Sequence, residues 1–300
     1  MSDTALCFNL TPTPRELVFT AVQWQQQGKA IAFATLVNIE GNAPYPVGSQ
    51  MLINQSGDFL GHITGGCAEQ AIAGQAVASI NSQRNTQQRY GLNSPYFDIK
   101  LPCGSGIDVH FDAQISKHEL QPINDALQSR SAVQHQFGLF TKQFQPNPRL
   151  VLFGQGPIMV KLAQLALQTG FDVCCVAQNN DTANLLNSAG LKHHLITQAA
   201  LLFDTELDEF TAFISLFHEH ELEVSLLQTA VQSNSFYIGA LGSRKTHKAR
   251  LQDLAQRGIE PDALKRIHGP VGLNIGANTP AQIALSILAD VTAHMNSVIE

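Results

Sequence analysis

Leu150-Val151-Leu152-Phe153-Gly154-Gln155-Gly156-Pro157 sets a short, wholly apolar run directly against a glycine turn. A run of that length without polar alternation reads as a strand covered on both faces. Proline cannot extend the strand but suits the first turn of a helix, and Ile158, Leu162 and Leu165 then recur on one helical face. Gly170 closes that helix, and Val173 to Val176 supply a second apolar strand. Strand, glycine turn, helix and strand make a βαβ unit, with an anion expected at the helix N-terminus.

Further strands at Ala212 to Phe217 and Phe236 to Ala240, with helices between, extend the unit to a Rossmann-like parallel sheet. The final helix carries its own start signal in Thr279 as cap, Pro280 next and Gln282 completing a capping box. The dinucleotide fingerprint is incomplete. Gly154 and Gly156 are present, but Met159 holds the third position, and Ala177 stands where a carboxylate would grip the ribose hydroxyls. Only the neutral Gln178 and Asn179 follow it. NAD(P) is therefore not the expected ligand. Gly242-Ser243-Arg244 after another strand offers a second anion seat, although a helix entry with solvated cations reads the same way. Cys174 and Cys175 sit within a strand and read as core.

Working toward the N-terminus, residues 114–148 are polar and glutamine-rich, and read as a connecting helix and loop. Residues 1–113 then form a smaller α/β domain, and residues 149–300 the Rossmann-like one. Within the smaller domain Pro14 opens a helix that Gly28 closes, Ala30 to Ile39 is a buried strand, and residues 51–63 read as a hairpin. Two segments there bear chemistry: Thr64-Gly65-Gly66-Cys67-Ala68-Glu69, and Leu101-Pro102-Cys103-Gly104-Ser105-Gly106. Each places a cysteine beside glycines that bare the backbone, and Cys67 precedes an alanine-rich helix. A thiol at a helix N-terminus meets unpaired N–H groups and the positive end of the dipole, which favours thiolate. On spacing alone, soft-ligand chemistry and ordinary packing of Cys67 and Cys103 explain the pattern equally well.

Composition narrows the classes. With 18 basic and 24 acidic residues the net charge is −6. No basic cluster suggests nucleic acid or an anionic membrane surface. The five cysteines include no C-x-x-C pair, so neither a zinc knuckle nor a disulfide framework is indicated. The first residues lack a basic region followed by an apolar core, and no apolar run approaches the ~20 residues that span a bilayer. A cytoplasmic protein is expected.

Taken together, these segments resemble the XdhC/CoxI family, accessory proteins of xanthine and carbon monoxide dehydrogenases. The resemblance rests on Gly41 to Met51, with its Gly-x-x-Pro-x-x-x-Gly pattern before a strand, on Gly65-Gly66-Cys67-Ala68-Glu69, on Cys103-Gly104, on Tyr237 to Arg244, and on Gly269 to Pro280. It implies a chaperone that binds molybdenum cofactor and delivers it to a molybdenum hydroxylase of the xanthine dehydrogenase type, carrying the cofactor without turning over a substrate. The implied cofactor-binding residues are Gly65, Gly66, Cys67, Glu69, Cys103, Gly104, Gly154, Gly156, Gly242, Ser243 and Arg244, with Cys67 and Cys103 facing the metal. The implied partners are the hydroxylase client, a cysteine desulfurase and a second copy of the chain. Three positions depart from the family pattern: Tyr45 stands where arginine commonly follows Pro44, Ala177 replaces an acid, and Pro157 replaces histidine. The rival reading is an NAD(P)-dependent oxidoreductase with a degenerate dinucleotide site, using Cys67 or His218.

Overall fold

The computed structural model describes residues 12–95, 104–138, 140–196, 207–217 and 220–299. The chain divides into two compact units, Met1–Pro146 and Asn147–Glu300.

The first unit opens with α1 (Pro14–Gln26), where Thr13 and Glu16 close a reciprocal capping box. A five-stranded antiparallel sheet follows in the order β3-β2-β1-β5-β4. Its strands are β1 (Ile31–Glu40), β2 (Gln50–Asn54), β3 (Phe59–Leu60), β4 (Thr86–Gly91) and β5 (Gly106–Asp112). Strand pleating sorts the side chains. Ala32, Ala34 and Leu36 of β1 join Ile107, Val109 and Phe111 of β5 in a core beneath α2 (Glu69–Ser82). The alternate residues Ile31 and Phe33 face a second core with α1.

That second core corrects the reading of residues 114–148. The expected helix is present as α3 (Lys117–Gln128), but the expected loop is a two-stranded sheet of β6 (Val133–Phe137) and β7 (Phe140–Phe144), and all three elements lie within the first unit. Leu120, Ile123, Leu127, Phe137 and Phe144 are buried against Leu17, Val18 and Phe33. The glutamines occupy the exposed positions between these anchors, which hides an ordinary amphipathic layer behind a polar composition.

The second unit is a six-stranded, all-parallel sheet in the order β10-β9-β8-β11-β12-β13. The strands are β8 (Arg149–Gly154), β9 (Asp172–Ala177), β10 (His193–Leu195), β11 (Thr211–Leu216), β12 (Tyr237–Ala240) and β13 (Ile267–His268). Helices α4 (Pro157–Gln168), α5 (Asn180–Ser188) and α9 (Pro280–Ile299) cover one face over Leu150, Leu152 and Ile214. Helices α6 (His220–Gln232), α7 (Arg244–Gln256) and α8 (Pro261–Leu264) cover the other over Val151, Phe153 and Phe213. This is the doubly wound Rossmann arrangement, with its switch point between β8 and β11. Gly154 is required there: its φ is +138°, and a methyl on it would lie 2.4 Å from the Leu216 carbonyl oxygen of β11. No helix among the described residues is long and apolar enough to cross a membrane.

Candidate functional site

The Thr64–Glu69 segment folds around its own carboxylate. Glu69 opens α2 and is 3% exposed. Its Oε1 accepts the N–H groups of Ile63 at 3.1 Å and Thr64 at 2.7 Å. Its Oε2 accepts the Thr64 hydroxyl at 2.6 Å and the Gly66 N–H at 2.8 Å. Thr64 Oγ1 in turn accepts the Ala68 N–H at 2.9 Å. Burial raises the pKa of such a group, but the hydrogen bonds from Thr64 and Ile63 outweigh it and hold the carboxyl at about 2. With its main chain fixed from within, the loop turns outward through Gly65 (φ 76°) and Gly66 (φ 110°), backbone that favours glycine. Cys67 stands exposed beside them. The resemblance places Glu69 among the cofactor contacts, whereas its oxygens are turned inward and committed to the loop.

The neighbouring segment converges on the same end of the sheet. Gly106 begins β5 opposite Glu40 at the end of β1. A methyl on Gly41, just beyond, would lie 3.4 Å from Ser105 Cβ, and one on Gly65 would lie 3.9 Å from Pro44 Cγ. The turn after β1 thus adjoins both the cysteine loop and the residues that follow Gly104, which is itself exposed with φ 64°. Cys103 lies outside the described residues, as does His218.

In the second unit the glycine turn is spent internally. Gly156 donates its N–H to Thr182 Oγ1 at 3.0 Å, and Pro157 has no N–H to offer. Ala177 is fully buried. Asn179 caps α5, its Oδ1 accepting from the Thr182 N–H at 2.9 Å while its Nδ2 donates to Gln155 at 2.7 Å. The Gln178 amide oxygen is buried. The seat expected at Gly154 and Gly156 therefore lacks two of the donors an anion would use. Cys175 is core as expected, with burial pushing its thiol up to about 12.

The other expected anion seat differs. Ser243 caps α7, its Oγ accepting from the Thr246 N–H at 3.1 Å. Arg244 and Lys245 follow, exposed, in a first turn with no acidic residue. Cations at a helix N-terminus oppose the dipole, so this turn gains from an anion. The turn is anchored beneath by residues that sequence reasoning did not single out. Arg250, 1% exposed, donates from Nη2 to the Leu241 carbonyl at 2.7 Å and to Glu223 Oε1 at 3.0 Å, and from Nε to Glu223 Oε2 at 3.1 Å. The Ser215 hydroxyl donates to Glu223 at 2.6 Å. A lone arginine inside a helix gives no sequence signal of such a role.

A fold of this kind, with an antiparallel unit presenting a thiol on a carboxylate-held loop, defines the class to which the comparisons point. The family model described as the XdhC and CoxI family matches residues 24–91, and the one described as the XdhC Rossmann domain matches residues 150–291. A molybdenum cofactor insertion chaperone, PaoD, of Escherichia coli K12 is 32% identical over 95% of this chain and 89% of its own length. A Bacillus subtilis protein described as a probable xanthine dehydrogenase subunit is 27% identical over 89% of this chain and 93% of its own. A Bacillus halodurans crystal structure described as a xanthine dehydrogenase shares the fold, with a TM-score of 0.77 at 21% identity over 95% of this chain and 96% of that one. The chain belongs to the XdhC and CoxI family.

Proposed function

We propose that this protein binds molybdenum cofactor as cargo and delivers it to a molybdenum hydroxylase of the xanthine dehydrogenase type, as a carrier and not a turnover enzyme. The observation that carries the reading is the exposed Cys67 thiol on a loop that Glu69 holds in place. A soft metal centre with sulfur ligands prefers thiolate to oxygen donors. A loop ordered beforehand loses little freedom when it takes a ligand. The relationship to PaoD supports the same reading. Within it, Cys67 and Cys103 meet the metal, and Gly65, Gly66 and Gly104 let the backbone approach. A cysteine desulfurase that supplies the terminal sulfur, and a homodimer, are the further partners this role invites.

The test is cofactor retention. The protein, coexpressed with the cofactor's biosynthetic enzymes and purified anaerobically, is expected to carry pterin and molybdenum. Cys67→Ser is expected to lower both about tenfold, the equivalent of ~1.4 kcal/mol of lost contact, and at least as much as Cys103→Ser does. Equal retention by the wild type and the double serine variant would remove the thiols from the role.

The same reading expects poor nucleotide binding. Losing a charged hydrogen bond at the ribose costs ~1.5–3 kcal/mol, roughly ten- to a hundredfold in affinity. The spent Gly156 N–H adds to that loss. Calorimetry with NAD and NADP should give dissociation constants no tighter than millimolar, and a micromolar value would revive the oxidoreductase reading.

A further inference from the structure

A cavity of about 410 Å³ opens in the first unit between the turn after β1, the segment leading into α2 and strand β7. Its size falls in the range of small-ligand sites. Leu17, Val47 and Phe140 give it apolar walls, while Tyr45, His62 and Lys142 bring polar groups. None of the residues lining it is a carboxylate.

Lys142 is unusual here. Among the described residues no carboxylate pairs with it. Its Nζ donates to the Gly48 carbonyl at 2.6 Å and lies 5.3 Å from the centre of the Phe144 ring. An ammonium group has three donors, so a single carbonyl leaves it under-used. Burial pushes its pKa down to about 8, the mark of a cation short of compensating charge. His62 lines the same cavity, and its buried Nδ1, 3.6 Å from Glu69 Oε1, makes no hydrogen bond among the described residues. The positive charge in the cavity comes from Lys142 of β7.

We propose that this cavity binds a small molecule carrying a phosphate or carboxylate on an apolar ring, with Lys142 as the counter-charge and His62 as a second donor. The anion completes the ammonium's hydrogen bonds, and the ring packs on Val47 and Phe140. The site is built wholly from residues of the first unit and uses neither Cys67 nor Cys103.

Phenyl phosphate is the probe, titrated calorimetrically into the full-length protein. The wild type is expected to bind it with millimolar affinity or better, and phenol, which lacks the anion, is expected not to compete. Lys142→Met should weaken binding about ten- to a hundredfold, as loss of a charged hydrogen bond does, and Lys142→Arg should keep most of it. Val47→Trp, a change at an exposed position, should block the cavity and keeps the test available if Lys142→Met does not fold. Absence of heat at millimolar phenyl phosphate, or equal binding by the wild type and either blocking variant, overturns the proposal. Competition between phenyl phosphate and molybdenum cofactor would identify the anion as the cofactor's own phosphate, and binding without competition would identify a separate metabolite site. Either result leaves the anion site standing, whereas loss of the carrier role alone would not touch it.

Discussion

Glu69→Ala is expected to destabilise the first unit by about 3–5 kcal/mol and to abolish cofactor retention together with it. The substitution strips the acceptor from the N–H groups of Ile63, Thr64 and Gly66 and from the Thr64 hydroxyl, in a part of the chain where Ile63, Thr64 and Ala68 are buried. Each buried donor left without a partner costs ~1–3 kcal/mol, and some of that returns as the loop relaxes toward water. Proton linkage expresses the same hydrogen bonds as a pH dependence of the same order. A carboxyl held at about 2 when folded, against an ordinary value of 4.5, contributes roughly 3 kcal/mol at neutral pH. Because the folded value is depressed, that contribution is complete above pH 4.5 and is lost as pH falls toward 2. The chain's one tryptophan, Trp24, packs in the first unit and reports its unfolding in urea. Glu69→Gln should therefore differ from wild type most at pH 7, and the gap should narrow as pH falls through 4. A gap that stays constant with pH would show that the carboxylate charge does not hold the loop.

Arg250→Met is expected to cost the second unit about 3–5 kcal/mol, the range for breaking a buried ion pair from one side. It leaves Glu223, 3% exposed, with the Ser215 hydroxyl as its remaining neutral partner in the network, and it frees the Leu241 carbonyl that steadies the Gly242–Arg244 turn. Combining it with Glu223→Met should recover most of the loss, since the buried charge is then gone and methionine fills irregular space. Hydrogen exchange across β11 and β12 measures both variants. A double variant as unstable as the single one would assign the loss to packing and not to charge.

The second unit was legible because its strands are continuous apolar runs punctuated by glycine, as in Leu150 to Gly156, and a strand buried on both faces can hardly be written otherwise. The first unit hid more. Strand β4, Thr86-Gln87-Gln88-Arg89-Tyr90-Gly91, lies at the sheet edge and buries only Tyr90, so it lacks an apolar signature. Helix α3 falls where a connecting helix was expected, but its buried face of Leu120, Ile123 and Leu127 was hidden among polar residues and an interior Pro122. Cys67 could be found from its glycine context and the helix behind it. The inward role of Glu69 could not, because a carboxylate at a helix start reads the same whether it faces a ligand or its own backbone. Lys142 and His62 lie eighty residues apart in segments with nothing else to mark them, and only the packing of β7 on the turn after β1 brings both to one cavity.

The carrier role is tested most directly by transfer. The anaerobically purified, cofactor-loaded protein is mixed with a molybdenum hydroxylase prepared without cofactor, and the appearance of hydroxylase activity is followed in the presence of a scavenger for free cofactor. Wild-type protein is predicted to activate the client despite the scavenger, and Cys67→Ser protein, adjusted to the same folded concentration, is predicted to activate it about tenfold less. Activation that the scavenger abolishes, or that Cys67→Ser supports as well as wild type, would contradict delivery through the thiol-bearing loop.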